Sequence, residues 1–138
     1  MMRKKFARSY DSLEEMFEFT EQFFESEEIT ATVRFPVHFV MEELFTNMVK
    51  YNEGNTNDIL VALERDERSV TASLTDYDVD EFDVTQERNV DTALPLEQRK
   101  IGGLGLHLIQ KMVDTLQYRY ADRQSEVRFS KELETADV

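Results

Sequence analysis

Residues 99–114, which read RKIGGLGLHLIQKMVD, contain three of the chain's four glycines, Gly102, Gly103 and Gly105. Apolar residues follow them at helical spacing, at Leu108, Ile109, Met112, Val113 and Leu116. The stretch therefore predicts a glycine-rich loop that opens directly into an amphipathic helix. Glycine lets backbone N–H groups approach a ligand closely, and the start of a helix offers unpaired N–H donors at the positive end of its dipole. The junction indicates an anion site, although a tight turn before a core helix explains this stretch equally well on its own.

The chain is strongly acidic, with a formal net charge of −13 over 138 residues. Such a field repels nucleic acid and anionic membranes and favours basic protein partners. We therefore expect no direct contact with nucleic acid or with a membrane. A polyphosphate bound by so acidic a protein needs Mg²⁺ or local cations to screen its charge. Arg99 and Lys100, directly upstream of the glycines, are the candidates for such cations.

The composition fits one domain over residues 1–138, because 41% of the residues are hydrophobic and a chain of this length can bury one core. No run of about 18 apolar residues is present to span a membrane, and the basic N-terminus lacks the apolar segment of a secretory signal. The absence of cysteine excludes disulfides and thiolate chemistry. These features predict a cytoplasmic domain with a frayed tail at residues 134–138.

Two helices are predicted in the first half of the chain. Ser12 and Glu15 match a capping box, and apolar residues at helical spacing after them predict a helix over residues 12–26. Residues 27–35 are predicted to form a linker. Pro36 suits the first turn of a second helix, because the first N–H groups of a helix have no intrahelical partner. Hydrophobic residues then form a strong apolar stripe along that helix.

Glu43 and Asn47 lie one turn apart on the second helix, beside one edge of its apolar stripe. A carboxylate and a carboxamide therefore point the same way from the margin of the core. A cleft between this helix and the neighbouring layer would open at that margin. The alternative is that both side chains are simply solvated polar residues.

Strands are predicted before and after the second helix and at the end of the chain. Residues 4–9 are predicted to form a short edge strand, and alternating apolar residues over 58–75 predict an antiparallel hairpin with one face on the core. Two further strands, at residues 116–121 and 126–133, close the chain. Both show the alternation of apolar and polar residues that half-buried strands have.

A polar segment separates the hairpin from the glycine-rich stretch. It begins with five acidic residues among the eight residues 76–83, which could bind a cation or form a solvated loop. Segments of about twenty residues with little apolar periodicity are uncommon inside a compact domain and are often lids or disordered loops. Because this one ends at the glycines, we interpret residues 79–101 as a ligand lid.

Three motifs occur in a defined order: ELFTN at residues 43–47, DYD at residues 76–78, and LPLEQR at residues 94–99 leading into GGLGLHL at residues 102–108. In this order and spacing they resemble the GHKL (Bergerat-fold) ATPase superfamily. The resemblance extends to its small stand-alone branch, the bacterial anti-sigma factor serine-protein kinases, and covers nearly the whole chain. It implies an α+β fold, a two-layer α/β sandwich whose mostly antiparallel mixed sheet carries three helices on one face.

The resemblance also implies that the domain binds ATP and Mg²⁺ between the helix layer and the lid. Asn47 would hold Mg²⁺ through its side-chain oxygen, and Glu43 would be either the general base or the carboxylate that orients a water or hydroxyl for attack on the γ-phosphate. Asp76 would accept a hydrogen bond from the adenine amino group. The residues that would cradle the phosphates are Gly102, Gly103, Leu104, Gly105 and Leu106. Arg99 or Lys100 would offset charge on the transferred phosphoryl group.

One position departs from the family pattern. The second motif usually reads Asp-x-Gly, and here Asp78 stands at the glycine position. The spacing to residues 82–83 is also one residue longer than the common pattern, so Asp78 rather than Asp76 is an alternative partner for adenine. A further carboxylate at this position disfavours a bound polyphosphate unless Mg²⁺ or water screens the charge.

The resemblance implies a serine-protein kinase that sequesters a sigma factor and phosphorylates a serine on an anti-anti-sigma (STAS-type) partner. Relatives of this kind often form homodimers through the N-terminal strand region. A second interpretation, motivated by Asp78, is a catalytically weak or inactive module that acts by protein binding alone. A third is an unrelated acidic α+β interaction domain in which the glycine-rich turn is purely structural.

Overall fold

Five β-strands and three α-helices make up residues 1–51, 54–81 and 104–133, the parts of the chain that this computed structural model describes. The strands are β1 (Met2–Phe6), β2 (Ile59–Arg65), β3 (Ser69–Tyr77), β4 (Thr115–Ala121) and β5 (Gln124–Glu132). The helices are α1 (Leu13–Ser26), preceded by a 3₁₀ turn at Tyr10–Ser12, α2 (Ala31–Tyr51) and α3 (Leu104–Met112). The chain order of the described elements is therefore β1-α1-α2-β2-β3-α3-β4-β5.

The strands form one sheet in the order β1-β2-β3-β5-β4, and every neighbouring pair in it is antiparallel. Apolar residues alternate along the central strands, so one face of the sheet is buried. On β3, for example, Val70, Ala72 and Leu74 are fully buried, whereas the intervening Thr71 and Ser73 are only partly buried. The predicted α+β sandwich with three helices is confirmed.

The helix layer covers the buried face of the sheet, and aromatic side chains fill much of the space between the two layers. Phe24 of α1, Phe45 of α2 and Phe129 of β5 are fully buried, and Ile109 of α3 joins the same cluster. Burial of each such side chain contributes about 1.5–3 kcal/mol. α2 lies at the centre of the layer, because it contacts α1, α3, β3 and β5.

The start of α1 differs from the predicted capping box. Ser12 has a helical backbone conformation, and its hydroxyl donates to the carbonyl oxygen of Ala7 at 2.8 Å instead of capping the helix. The 3₁₀ turn ahead of α1 is capped by Ser9, whose side chain accepts a hydrogen bond from the backbone N–H of Asp11. The capping-box prediction was wrong because this extra turn moves the cap towards the N-terminus.

The start of α2 also differs from the prediction. The helix begins well before Pro36, so only residues 27–30 link it to α1. The carbonyl oxygen of Thr30 accepts from the N–H groups of Val33 and Arg34, both at 3.1 Å, and opens the helix. Val33 is buried in the core, and tertiary packing of this kind overrides a local signal. Pro36 therefore lies inside α2, beyond its first turn, where a proline cannot donate the usual backbone hydrogen bond to the residue four positions earlier.

The end of α3 lies earlier than the apolar spacing indicates. The helix ends at Met112, and Leu116, which continues the helical spacing in the sequence, belongs to β4. Asp114 marks the change, because its backbone N–H donates to the carbonyl oxygen of Ser130 on β5 at 2.8 Å. From Asp114 onwards the backbone therefore bonds to β5 and no longer continues α3.

The edge strand β1 is present as predicted, although it covers Met2–Phe6 rather than residues 4–9. The predicted tail at residues 134–138 lies outside the described residues, as does most of the lid predicted for residues 79–101. Among the helices described, none is long and apolar enough to cross a membrane.

Candidate functional site

A cavity of about 170 Å³ lies between α2 and the neighbouring ends of β3 and β5. From α2 it is lined by Leu44, Asn47, Met48 and Tyr51. The end of β3 and the residues after it add Asp76, Val79, Asp80 and Glu81, and β4 and β5 add Tyr118, Ser125 and Val127. Its walls combine apolar and aromatic side chains with a few polar groups, which is the usual make-up of a small-molecule site.

Asp76 reaches this cavity because of the alternation along β3. It follows Leu74 on the inward face of the strand, and it is only 1% exposed. A buried carboxylate is costly unless it is paired and hydrogen-bonded. At the cavity, Asp76 is therefore an anionic hydrogen-bond acceptor in mostly apolar surroundings.

Arg8 provides the countercharge for Asp76. It lies just after β1, and its side chain is 4% exposed. Nη2 of Arg8 donates to Oδ1 of Asp76, and Nη1 donates to Oδ2 at 3.4 Å and to the carbonyl oxygen of Met48 at 2.9 Å. The sequence gives no indication of this contact, because a lone arginine in a basic N-terminal segment carries no signal of a partner so far along the chain.

Asn47 and Glu43 occupy the same side of α2, as their spacing predicts. Asn47 is partly buried and lines the cavity. Glu43 lies one turn earlier and is also partly buried, but it is not among the residues that line the cavity. The structure therefore brings Asn47 together with Asp76 in one cavity and places Glu43 beside it.

Asp78 lies outside the cavity. Its backbone has φ +56°, its side chain is 69% exposed, and its carboxylate accepts from Nε of Arg123 at 2.8 Å. The left-handed conformation is the one that glycine adopts freely and that aspartate tolerates better than most residues. This explains how an aspartate can stand where the family pattern has glycine. Of the two aspartates predicted as alternative partners of adenine, Asp76 lines the cavity and Asp78 does not.

The β4–β5 turn holds the segment after β3 at the mouth of the cavity. Asp122 and Arg123 both have positive φ, as a two-residue type I′ turn requires. Arg123 bonds Asp78 and, at 3.0 Å, Asp80, while its carbonyl oxygen accepts from the N–H of Val79 at 2.9 Å. The hydrogen bonds that Arg123 donates to the carboxylate of Asp78, and secondly to that of Asp80, raise the pKa of Arg123 above its usual range. Val79 and Asp80, which line the cavity, are thereby tied to the β4–β5 turn.

The predicted phosphate-binding residues are only partly described. Leu104, Gly105 and Leu106 form the first turn of α3, where the N–H groups have no intrahelical partner. The other members of the predicted set lie outside the described residues: Arg99, Lys100, Gly102 and Gly103.

Asn47 offers an uncharged side-chain oxygen, which is a suitable ligand for a hard cation such as Mg²⁺. Within the described ranges, no group of three or more His, Cys, Asp or Glu side chains could hold a metal ion. A phosphate bound in the cavity would supply further oxygen ligands to a divalent cation at Asn47. This donor set fits Mg²⁺ bound together with a nucleotide, because Mg²⁺ is usually held by few protein ligands plus substrate phosphates.

The chain matches a known protein family over most of its length. The model for the histidine kinase-like ATPase domain matches residues 6–131, which is most of the chain. The chain belongs to this family. Membership implies ATP binding, and the cavity between α2 and β3 lies within the matched residues. A comparison with curated proteins gave no match.

Proposed function

We propose that this ATPase domain is an anti-sigma factor and serine-protein kinase. It binds Mg²⁺·ATP in the cleft beside α2, phosphorylates a serine on an anti-anti-sigma (STAS-type) partner and sequesters a sigma factor. The observation that carries the proposal is the cavity that joins Asn47 and Asp76 from separate elements. The serine-kinase specificity and the two partners rest on the sequence resemblance to the anti-sigma factor kinases.

Asp76 recognises the adenine base. Its carboxylate accepts a hydrogen bond from the exocyclic amino group of adenine, and hydrogen bonds to charged groups contribute about 1.5–3 kcal/mol. Leu44, Met48 and Val127 provide apolar walls for the faces of the ring. This combination of one anionic acceptor and apolar surfaces suits a flat base with a donor on one edge.

Asn47 holds Mg²⁺ through its side-chain oxygen, and the ion screens the phosphates against the protein's negative charge when it is bound. The N–H groups of the first turn of α3 bind phosphate oxygens at the positive end of the helix dipole. Arg99 or Lys100 adds a positive charge near the same phosphates.

Glu43 orients the serine hydroxyl of the partner and takes its proton on a carboxylate oxygen as the bond between the serine oxygen and the γ-phosphorus forms. The bond between the γ-phosphorus and the β–γ bridging oxygen breaks in the same step, and ADP leaves. Its position one turn from Asn47 places it beside the cavity, and not in the lining of the base site. General acid–base groups of this kind typically contribute about 10²–10⁴-fold to a rate.

A second candidate is a catalytically weak module that acts by binding proteins alone. Asp80 and Glu81 line the cavity along with Asp76, so three carboxylates face the space that a nucleotide would enter. Negative charge there opposes a polyphosphate in the absence of cations. The net charge of −13 favours a basic protein partner under either candidate.

A phosphotransfer assay with Glu43→Gln tests the kinase proposal. We expect the variant to lose about 10²–10⁴-fold in phosphate transfer to an anti-anti-sigma partner while still binding ATP and sigma factor. Glu42→Gln is the matched control, since Glu42 is the preceding residue of α2 and is exposed. Undiminished transfer by Glu43→Gln would reject the role of Glu43, and absence of transfer in the unmodified protein would favour the binding module.

A further inference from the structure

We propose that Arg8 is a positioning residue for base selection: its guanidinium fixes the Asp76 carboxylate so that this carboxylate selects purines that carry an exocyclic amino group. The inference rests on the proposed ATP site and names the residue that makes its base contact selective. Arg8 is outside the three motifs that carry the family resemblance.

Arg8 contacts the carboxylate but is not among the residues that line the cavity. Asp76 does line the cavity, and the two side chains are directly ion-paired. A carboxylate has about four lone-pair sites, so a two-pronged guanidinium can bind it and leave acceptor capacity for a ligand. Arg8 thus holds the Asp76 carboxylate at the wall of the cavity without lining the cavity itself.

Arg8 is itself held in a fixed place. The carbonyl oxygen of the preceding Ala7 accepts from the N–H of Ser9 and from the hydroxyl of Ser12, both at 2.8 Å. Nη1 of Arg8 donates to the carbonyl oxygen of Met48, which directly follows Asn47 on α2. One side chain therefore links the segment after β1, the turn of α2 that carries Asn47, and the end of β3.

The described hydrogen bonds of the Arg8 guanidinium go to Asp76 and to the backbone of α2. Its Nη atoms bond Asp76 and Met48, whereas its buried Nε has no hydrogen-bond partner among the described residues. Arginine can do this because its donors form a rigid fork that matches a carboxylate, which a lysine ammonium does not. Without Arg8, the buried carboxylate would lose both its countercharge and its fixed orientation.

The test compares the affinities for ATP and for purine riboside triphosphate, which lacks the exocyclic amino group, by calorimetric titration with Mg²⁺. We expect the unmodified chain to prefer ATP by about ten- to a hundredfold, as one hydrogen bond to a charged group provides. In Arg8→Gln, the ratio of the affinity for ATP to that for purine riboside triphosphate should fall to within about threefold of unity. In Arg8→Lys, the same ratio should be at least about threefold lower than in the unmodified chain.

Arg65→Gln is the matched control. Arg65 also bonds a backbone carbonyl oxygen, that of Glu27, but it pairs with Val70 near the opposite end of β3 from Asp76. Its variant should keep the ratio of the unmodified chain. A fall of the ratio in Arg65→Gln as large as in Arg8→Gln would overturn the inference, because the effect would then be general.

The remaining outcomes separate the inference from the proposed function. If Arg8→Gln weakens both nucleotides equally and the ratio is unchanged, Arg8 is structural only, and the ATP site stands. If Arg8→Gln does not fold, an unchanged ratio in Arg8→Lys overturns the inference. If the unmodified chain binds neither nucleotide, the proposed function fails and the inference fails with it.

Discussion

Asp76 and Asp78 are two residues apart, and in a continuing strand both would face the cavity. β3 ends at Tyr77, however, and Asp78 takes a left-handed conformation that turns its side chain towards Arg123. The sequence alone could not choose between the two carboxylates, because the choice depends on where the strand ends. The contact with Arg123, far along the chain, fixes that end.

Exchange of each aspartate for asparagine should affect ATP binding differently. Asp76→Asn removes the anionic acceptor in the cavity, so we expect ATP affinity to fall about tenfold or more. Asp78→Asn keeps a residue that tolerates positive φ and changes only an exposed ion pair, so affinity should stay within about twofold. Calorimetric titration measures both. Equal losses in the two variants would contradict the assignment of the base contact to Asp76.

The buried ion pair between Arg8 and Asp76 should matter more for binding than for folding. Asp76→Ala leaves an unpaired buried guanidinium, so the free energy of unfolding should fall by about 3–5 kcal/mol. The double variant Arg8→Met/Asp76→Leu should recover most of this loss, because apolar residues often replace a buried pair without destabilisation. Urea denaturation gives both values. A double variant no more stable than Asp76→Ala would show that the pair itself holds the fold together.

At the scale of elements, the β2–β3 turn depends on one carboxylate. Asp66 accepts hydrogen bonds from the backbone N–H groups of Arg68 and Ser69, both at 2.7 Å. These two bonds hold the pKa of Asp66 below its ordinary value of 3.8, and the bond from the N–H of Arg68 has the larger effect. A carboxyl group with a lowered pKa in the folded state stabilises the protein above its unfolded pKa, and the effect is lost as the pH falls through the folded pKa.

Asp66→Ala should therefore lower the thermal midpoint at neutral pH, and the difference from the unmodified chain should shrink once the pH falls below about 3.8. Thermal unfolding followed by circular dichroism over a pH series measures this. Glu67→Ala, at the exposed neighbouring position, is the control and should leave the midpoint unchanged. A midpoint difference that persists undiminished in acid would argue against the carboxylate as its source.

The elements themselves were largely predictable, because long apolar periodicities identify them. Their boundaries were less so. Pro36 suggested a helix start, yet α2 begins earlier because the burial of Val33 and the bonds to the Thr30 carbonyl oxygen extend it. Leu116 continues a helical spacing but also begins the strand predicted for residues 116–121, and pairing of β4 with β5 places it in the strand. In each case a tertiary contact decided between two locally acceptable conformations.

At the scale of the whole molecule, a single cluster of buried side chains joins helices and sheet. Phe45 of α2 lies within it and is fully buried, whereas Phe35, ten residues earlier on the same helix, is 66% exposed. Phe45→Ala should lower the free energy of unfolding by about 3–5 kcal/mol, and Phe35→Ala should change it by less than about 0.5 kcal/mol. Urea denaturation distinguishes them. Similar losses for the two variants would mean that Phe35 is covered in solution.

The candidate site was predictable only in part. Glu43, Asn47 and Asp76 stand in local motifs. Helical spacing predicts that Glu43 and Asn47 lie at the margin of the core, and Asn47 does line the cavity. Asp76 was identified only from the family resemblance, and its burial at the cavity is seen only in the structure. Arg8 belongs to no motif, since its contact with Asp76 exists only once β1 and β3 share a sheet. Pairs of residues that lie far apart in the sequence, such as this one, depend on the order of the strands in the sheet, which local sequence patterns do not specify.

The most direct test of the proposed site is a calorimetric titration of the unmodified chain with ATP, with and without Mg²⁺. We expect binding in the micromolar range that depends on Mg²⁺, because the ion must screen the phosphates from Asp80, Glu81 and the overall negative charge. Absence of binding up to millimolar ATP, with Mg²⁺ present, would contradict the proposal that this cavity is a working nucleotide site.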